Sequence, residues 1–291
     1  MTATNSTILA VGAAGKFAGL VVPELARRGV NVRGLVRDAK QGEEVRKHGA
    51  SEIAVGDLRD RASLDAALNG VDAVFYIAPA FLLGEAEVGQ VMVEAAKQAG
   101  VRRFVFSSVI HPIISALVNH RDKAPVEEAI IESGMEYALL HPAMFFQNYA
   151  EGWDKVVQTG VYAEPWSAQT RFSRVDYRDV AEVAAIALTE DRLNYGTYEL
   201  CAEGNDNRHD VAAMMGEVLG RNIEAGEIDP TKAAGAPASD GKPSPMMRMF
   251  QWYDNHGLLG NALTLRAILN REPCTLRTYF QELAVEKQLV N

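Results

Sequence analysis

The feature that most constrains this chain is an alternation through about its first 140 residues: short apolar runs, each followed by a helix-spaced segment that a glycine closes. The run Ile8-Leu9-Ala10-Val11 leads into a helix carrying Leu20, Val21, Leu25 and Ala26 on one face, which ends at Arg27-Arg28-Gly29. Residues 30–36, 52–55, 72–77, 102–107 and 136–140 read as five further strands. Residues 43–48, 61–69, 85–98 and 123–133 read as the helices between them, stopped by Gly49, Gly70, Gly100 and Gly134. Runs such as Ala73-Val74-Phe75-Tyr76-Ile77 are apolar on both faces, as strands are when helices cover both sides of a parallel sheet. Right-handed crossovers then give an α/β fold with a doubly wound parallel sheet of the Rossmann type.

The second half is less regular. Residues 170–175, 197–201 and 223–228 read as strands, and 178–189, 210–219, 246–255 and 275–287 as helices. Residues 230–245, rich in Ala, Gly, Pro and Ser, read as a loop. The expected organisation is a dinucleotide-binding domain over residues 1–150 and a smaller α/β substrate lobe over 151–291. The lobe is partly discontinuous, because segments near 170–190 return to the first domain and extend or abut its sheet.

Charge and cysteine usage narrow the function. Lys plus Arg number 29 and Asp plus Glu 38, a net charge of −9. Such a balance argues against direct nucleic-acid binding and against a polybasic membrane patch. Cys201 and Cys274 form neither a metal spacing nor a disulfide framework. With no spanning segment and no signal-type N-terminus, the expectation is a cytoplasmic protein acting on a small molecule, and helices of the second half leave room for a homodimer.

The first strand runs into Gly12-Ala13-Ala14-Gly15-Lys16-Phe17-Ala18-Gly19. In that strand-to-helix context the glycines suit a dinucleotide. One permits the tight turn, the next lets backbone approach a pyrophosphate, and the small residue lets helix pack on strand. The following helix N-terminus offers N–H groups to the phosphates. Arg37, at the end of the second strand, stands where NAD enzymes usually place a carboxylate for the ribose. A guanidinium suits a 2′-phosphate, so NADP(H) is expected over NAD(H), with Lys40 as a second charge. Asp38 is the competing ribose reader if the register shifts by one.

With these residues placed, the chain resembles an atypical short-chain dehydrogenase/reductase of the NmrA-like family. The resemblance rests on the Gly12 loop, Val36-Arg37-Asp38, Gly56-Asp57-Leu58 and Ile77-Ala78-Pro79, followed by Val105-Phe106-Ser107-Ser108. It continues through Lys123 to Glu127, Leu140-His141-Pro142-Ala143, Asn148 and the segment from Val175 to Ala181. It implies that Asp57 and Leu58 lie beside the adenine and that Ile77, Ala78 and Pro79 lie against ribose and phosphate. Asp57 as a turn cap and Pro79 as a strand stop are the structural alternatives. Asp176 and Asp179 read as caps of the helix that follows.

The wider superfamily works with a Ser, a Tyr and a Lys four residues after the Tyr. Here Ser107 or Ser108 is the expected serine and Lys123 the expected lysine, but Asn119 stands in the tyrosine's place. No tyrosine occurs between Tyr76 and Tyr137, and an amide is no proton donor of useful pKa. Lys123 keeps an expected role on the nicotinamide ribose. His111, His120 and His141 gather at strand ends, where the ligand crevice of such a sheet opens. His120 is the first candidate to replace the tyrosine as acid and His111 the second, while His141 is placed with the cofactor; no metal-ligand spacing links the three. Phe145, Phe146 and Asn148, in an aromatic region with Tyr149, Trp153 and Trp166, are expected on the substrate side or in the core beneath it. A pocket there suits an apolar or aromatic substrate. The expected function is an NAD(P)H-dependent oxidoreductase passing hydride to a small carbonyl, quinone or conjugated acceptor. The alternatives are a non-enzymatic NADP(H)-binding redox sensor and, less well matched without the tyrosine, a sugar-nucleotide epimerase.

Overall fold

In the computed structural model, which describes residues 6–79, 81–235, 243–287 and 289, the chain divides into two compact units. The first is Met1–Ile113, Asn119–His141 and Tyr177–Tyr198; the second is Ile114–Val118, Pro142–Asp176 and Glu199–Asn291.

The first unit is built on β1 (Thr7–Val11), β2 (Asn31–Val36), β3 (Glu52–Val55), β4 (Ala73–Tyr76), β5 (Arg103–Ser107) and β6 (Glu136–Pro142). With β10 (Gly196–Leu200) they form a seven-stranded sheet in the order β10-β6-β5-β4-β1-β2-β3. The β1–β2, β1–β4, β2–β3, β4–β5 and β5–β6 pairs are parallel, as the two-faced apolar runs require. The covering helices are α1 (Ala18–Arg27), α2 (Gly42–Lys47), α3 (Arg61–Leu68), α4 (Glu85–Gln98), α5 (Val118–Arg121), α6 (Ala124–Glu132) and α8 (Tyr177–Thr189). Leu9, Val74, Phe104 and Phe106 bury one face of the sheet against Leu64, Met92, Val126 and Ile130. Their neighbours along the strands, Ile8, Ala10, Phe75 and Val105, are also buried, and α8, which packs on α1, touches β4 and β5. The doubly wound architecture is therefore as expected.

One buried charge ties this unit together. The Arg103 side chain is fully buried at the start of β5. Its guanidinium donates to Asp191 at 2.5 Å, to Glu136 at 2.8 Å, and to the carbonyls of Ala187 at 3.0 Å and Glu190 at 2.8 Å. These carbonyls lie at the end of α8, so a single side chain closes orphan helix acceptors and two carboxylates onto the sheet.

The second unit holds β7 (Met144–Phe145), α7 (Asn148–Thr159), β8 (Val161–Glu164), β9 (Phe172–Val175), β11 (Asn205–Asp206) and α9 (Arg208–Leu219). It continues with β12 (Glu224–Glu227), α10 (Pro230–Ala233), α11 (Pro245–His256), α12 (Leu263–Leu269) and α13 (Leu276–Glu286). Strand β9 lies in a three-stranded sheet of order β11-β9-β7, and β8 pairs in parallel with β12. Residues 170–175, expected to extend or abut the large sheet, thus pair elsewhere; only β10 joins it. Phe146, Trp153, Met215, Phe280 and Leu283 share this unit's core. Buried Arg208 donates to the carbonyls of Gly226 at 2.5 Å and Glu164 at 2.9 Å, linking β8 to β12. Of the expected loop 230–245, residues 236–242 lie outside the described residues, and α10 occupies its start. No helix among the described residues is long and apolar enough to cross a membrane.

Replacing Arg103 by Met removes one partner of a buried charge cluster. It should cost the fold about 3 kcal/mol, the lower end for breaking such pairs, read as a lowered denaturant midpoint. A change under about 0.5 kcal/mol would show that the cluster is not a tie.

Candidate active site

In a parallel sheet of this order the carboxyl ends of the strands gather on one edge, and the strand order reverses between β1 and β4. The Gly12 loop leaves β1 at that point. Gly12 has φ +70°, a left-handed conformation open to glycine at no steric cost. The Gly15 N–H donates to the Gly12 carbonyl at 2.7 Å, and the Ala13 N–H reaches across to the Leu35 carbonyl of β2 at 3.2 Å. A Cβ at Gly34 would come within 3.1 Å of Ala13 Cβ and 2.6 Å of Val45 Cγ1, so bare backbone in β2 lets the turn lie flat against the sheet. Ala13 is buried, whereas Gly12, Ala14, Gly15 and Lys16 are exposed. The first residues of α1 follow Phe17, and no side chain caps the helix. An exposed glycine turn leading to an uncapped helix start is a cradle for phosphate.

Arg37 follows β2, adjacent to β1. It is exposed and makes no hydrogen bond or ion pair with any described residue. Asp38, the competing reader, is engaged: its carboxylate accepts from the Lys40 N–H at 2.9 Å and caps the short turn of helix at Ala39–Gln41. Asp57 likewise caps its own turn, accepting from the Arg59 N–H at 2.8 Å, while Leu58 packs on the core. Ile77 is half-buried, Ala78 buried and Pro79 exposed, in that order off the end of β4.

The expected serine and histidine acids are placed differently from expectation. Ser107 is fully buried, and its hydroxyl accepts from Tyr177 Oη at 2.9 Å. Tyr177, buried and tilted against Phe17 with ring centroids 5.0 Å apart, has its phenol pushed up by burial. The Tyr177 ring thus lies against the turn residue Phe17 while its hydroxyl engages Ser107, which is buried here and not exposed as a proton-relay serine is expected to be. His120 is also fully buried. Its Nδ1 lies 3.3 Å from the His111 carbonyl, and burial pulls its pKa down to about 4. An imidazolium is scarce at neutral pH in such a site, so His120 is a poor replacement for the missing tyrosine. His111 carries φ +54° in the loop after β5.

Lys123 and its surroundings do come together. Lys123 is the N-cap of α6, its carbonyl accepting from the Val126 and Glu127 N–H groups at 3.0 Å. Its ammonium donates to the carboxylate of Glu85, the first residue of α4. Burial pushes the Glu85 carboxyl above its ordinary value, opposed by the Lys123 charge. One turn along α6, Glu127 Oε1 accepts from the Ser108 hydroxyl and lies 2.9 Å from His141 Nε2. Glu85 and the linking role of Glu127 escaped the sequence reading. The only available signal was a carboxylate four residues beyond Lys123, which also describes an ordinary solvated helix face.

In the second unit, Phe146 is fully buried in the core, its ring centroid 5.7 Å from that of Tyr279. It is a core residue and not a pocket wall. Phe145, on β7, is half-buried, and Asn148 is exposed at the start of α7. Cys201 is buried, with its thiol pushed up to about 12 by burial, and both cysteines are free. Among the described residues no group of three His, Cys, Asp or Glu side chains could hold a metal ion.

A family model described as the NmrA-like family matches residues 4–280. A NAD(P)H azoreductase from Xenophilus azovorans is 30% identical over 240 residues, covering 82% of this chain and 83% of that one. The NADPH complex of an NADPH-dependent quinone oxidoreductase from Escherichia coli superposes with a TM-score of 0.82 at 22% identity, covering 95% of this chain and 99% of that one. The NADP(H) complex of a Citrobacter sp. triphenylmethane reductase gives 0.81 at 20% identity, covering 96% and 100%.

The His120 environment makes folding pH-dependent. The unfolded chain binds a proton at this residue below about pH 6.5, whereas the folded chain does not until about pH 4. Its contribution is thus intact above pH 6.5 and lost as pH falls toward 4, by about 3 kcal/mol. Denaturation midpoints of wild type and His120→Gln across this window should diverge by that slope; parallel curves would refute the assignment.

Proposed function

The chain belongs to the NmrA-like family, and on that premise we propose that it is an NADPH-dependent oxidoreductase acting on a small carbonyl, quinone or conjugated apolar acceptor. The observation that carries the reading is the exposed glycine turn after β1 with an unengaged guanidinium, Arg37, off the adjacent strand. The backbone of Gly12, Ala13, Ala14, Gly15, Lys16 and Phe17, with the start of α1, holds the pyrophosphate. Arg37 takes the 2′-phosphate by charge-assisted hydrogen bonds. Asp57 and Leu58 flank the adenine, and Ile77, Ala78 and Pro79 support the ribose and phosphate. Lys123, steadied by Glu85, serves the nicotinamide ribose. When bound, the dinucleotide supplies a hydride; the protein's part is to hold it, place the acceptor and exclude water.

The relatives' printed names support this chemistry, since they describe reductions of azo, quinone and triphenylmethane acceptors by NAD(P)H or NADPH. Azo and quinone acceptors delocalise the charge left by hydride uptake, which eases but does not remove the need for a proton source in a chain with Asn119 in the tyrosine's place. The sensor alternative is less favoured, because relatives that are 30% identical or more carry reductases' names, whereas the likeness to a negative transcriptional regulator is at 16% identity.

Purified protein should oxidise NADPH in the presence of quinones, enones or aldehydes; no consumption with any of them would sink the proposal. Arg37→Ala should raise the NADPH Kd about tenfold or more, the scale of a lost charge-assisted bond, and leave NADH within about twofold. Equal losses for both would remove the NADP preference.

A further inference from the structure

Resting on the reductase reading above, we propose that His141 donates the proton that completes acceptor reduction, with Glu127 as its positioning residue. The geometry has three parts. His141 stands at the carboxyl end of β6, next to Ser108, whose N–H donates to the Leu140 carbonyl at 2.9 Å. Its Nε2 is 2.9 Å from Glu127 Oε1, which also accepts from the Ser108 hydroxyl. A carboxylate already accepting one hydrogen bond at the same oxygen fixes the imidazole as the Nε2–H tautomer. Nδ1 makes no hydrogen bond with any described residue. The side chains of His141 and Glu127 are each 13% exposed, in contrast to the sealed His120, so the ring is sheltered yet reachable. In the neutral Nε2–H form the open Nδ1 carries a lone pair; once Nδ1 takes a proton from solvent, the carboxylate still holds Nε2–H and the Nδ1–H is the proton the ring can give.

The second part is its setting. Lys123 caps α6 and Glu127 lies in its first turn, the Glu127 N–H donating to the Lys123 carbonyl at 3.0 Å. The group assigned to the nicotinamide ribose and the group holding His141 are thus neighbours. The charged group shown against the ring is Glu127 of α6; Lys123, the N-cap of the same helix, is paired to Glu85 of α4. The third part is the lack of another donor: Tyr76 and Tyr177 are fully buried, Tyr177 donating to Ser107, and His120 is buried with its pKa pulled down to about 4.

The step balances. The acceptor gains a hydrogen with its electron pair from the bound dinucleotide, and its oxygen takes a proton from Nδ1 of the imidazolium. The N–H bond breaks, an O–H bond forms, and the neutral imidazole regains its proton from solvent.

The test compares wild type, His141→Gln and Glu127→Gln. In the ligand-free protein, nitrogen NMR of the imidazole should report the Nε2–H tautomer in wild type and a mixture in Glu127→Gln; an Nδ1–H tautomer in wild type would overturn the proposal. With saturating NADPH and p-benzoquinone, His141→Gln should lose about 10²-fold or more of kcat, the usual worth of general acid catalysis. Glu127→Gln should lose less. Solvent deuterium should slow wild type but no longer slow His141→Gln. A quinone rate within threefold of wild type, or an unchanged solvent isotope effect in His141→Gln, would overturn the assignment and leave the reductase reading standing. A wild type that reduces no acceptor would overturn both.

Discussion

A parallel strand cannot hand its chain directly to its neighbour. It must be left at one edge of the sheet and re-entered at the other, so every carboxyl end from β1 to β6 opens on the same edge. Most groups assigned to cofactor or acceptor in the first unit hang from that edge, Lys123 at the start of α6 being the exception. The Gly12 turn follows β1, Arg37 follows β2, Asp57 follows β3, Ile77 follows β4, Ser108 follows β5 and His141 ends β6. The register that pairs Ile8 with Val32, Phe75 with Val105 and Ser107 with Leu140 also sets their spacing. The chemistry is dispersed along the sequence because the fold collects it.

Polar groups below that edge are handled by pairing rather than by exposure. Arg103 is closed by two carboxylates and two helix carbonyls, Ser107 by Tyr177, and Lys123 by Glu85. Unpaired, each would cost a kilocalorie or more per group, about 1–3 kcal/mol for neutral donors and more for charges. Paired, they make rigid supports, and rigidity is what a hydride-transfer site asks of residues that only hold things. The overall charge of −9 gives no help to the polyanionic ligand proposed for the turn, so in that proposal local backbone N–H groups and Arg37 act against the mean field.

The sheet was legible because its signal is collective. Leu9, Val74, Phe104 and Phe106 are apolar, and so are their neighbours, and a glycine punctuates nearly every helix. Helix α7 was not legible: it buries only Trp153 and Val156, too narrow a stripe to stand out beside the aromatic residues around it. The two-residue strands β7 and β11 carry no periodicity to read, and β9 looks like any sheet strand because pairing partners are a tertiary fact. The place of the glycine turn, between β1 and α1, could be read because strand-turn-helix context fixes it. Burial decided the rest. Ser107, His120 and Phe146 have suitable chemistry and are sealed, whereas Glu85 and Glu127 look like surface carboxylates and are not.

The central claim is that the turn after β1, with Arg37 beside it, holds a dinucleotide. Amide resonances followed during an NADPH titration test it most directly. The account predicts that the largest shifts fall on the amides of residues 12–17 and the first turn of α1, together with the Arg37 guanidinium. Saturable shifts that leave those amides unmoved and cluster elsewhere in the chain would contradict it.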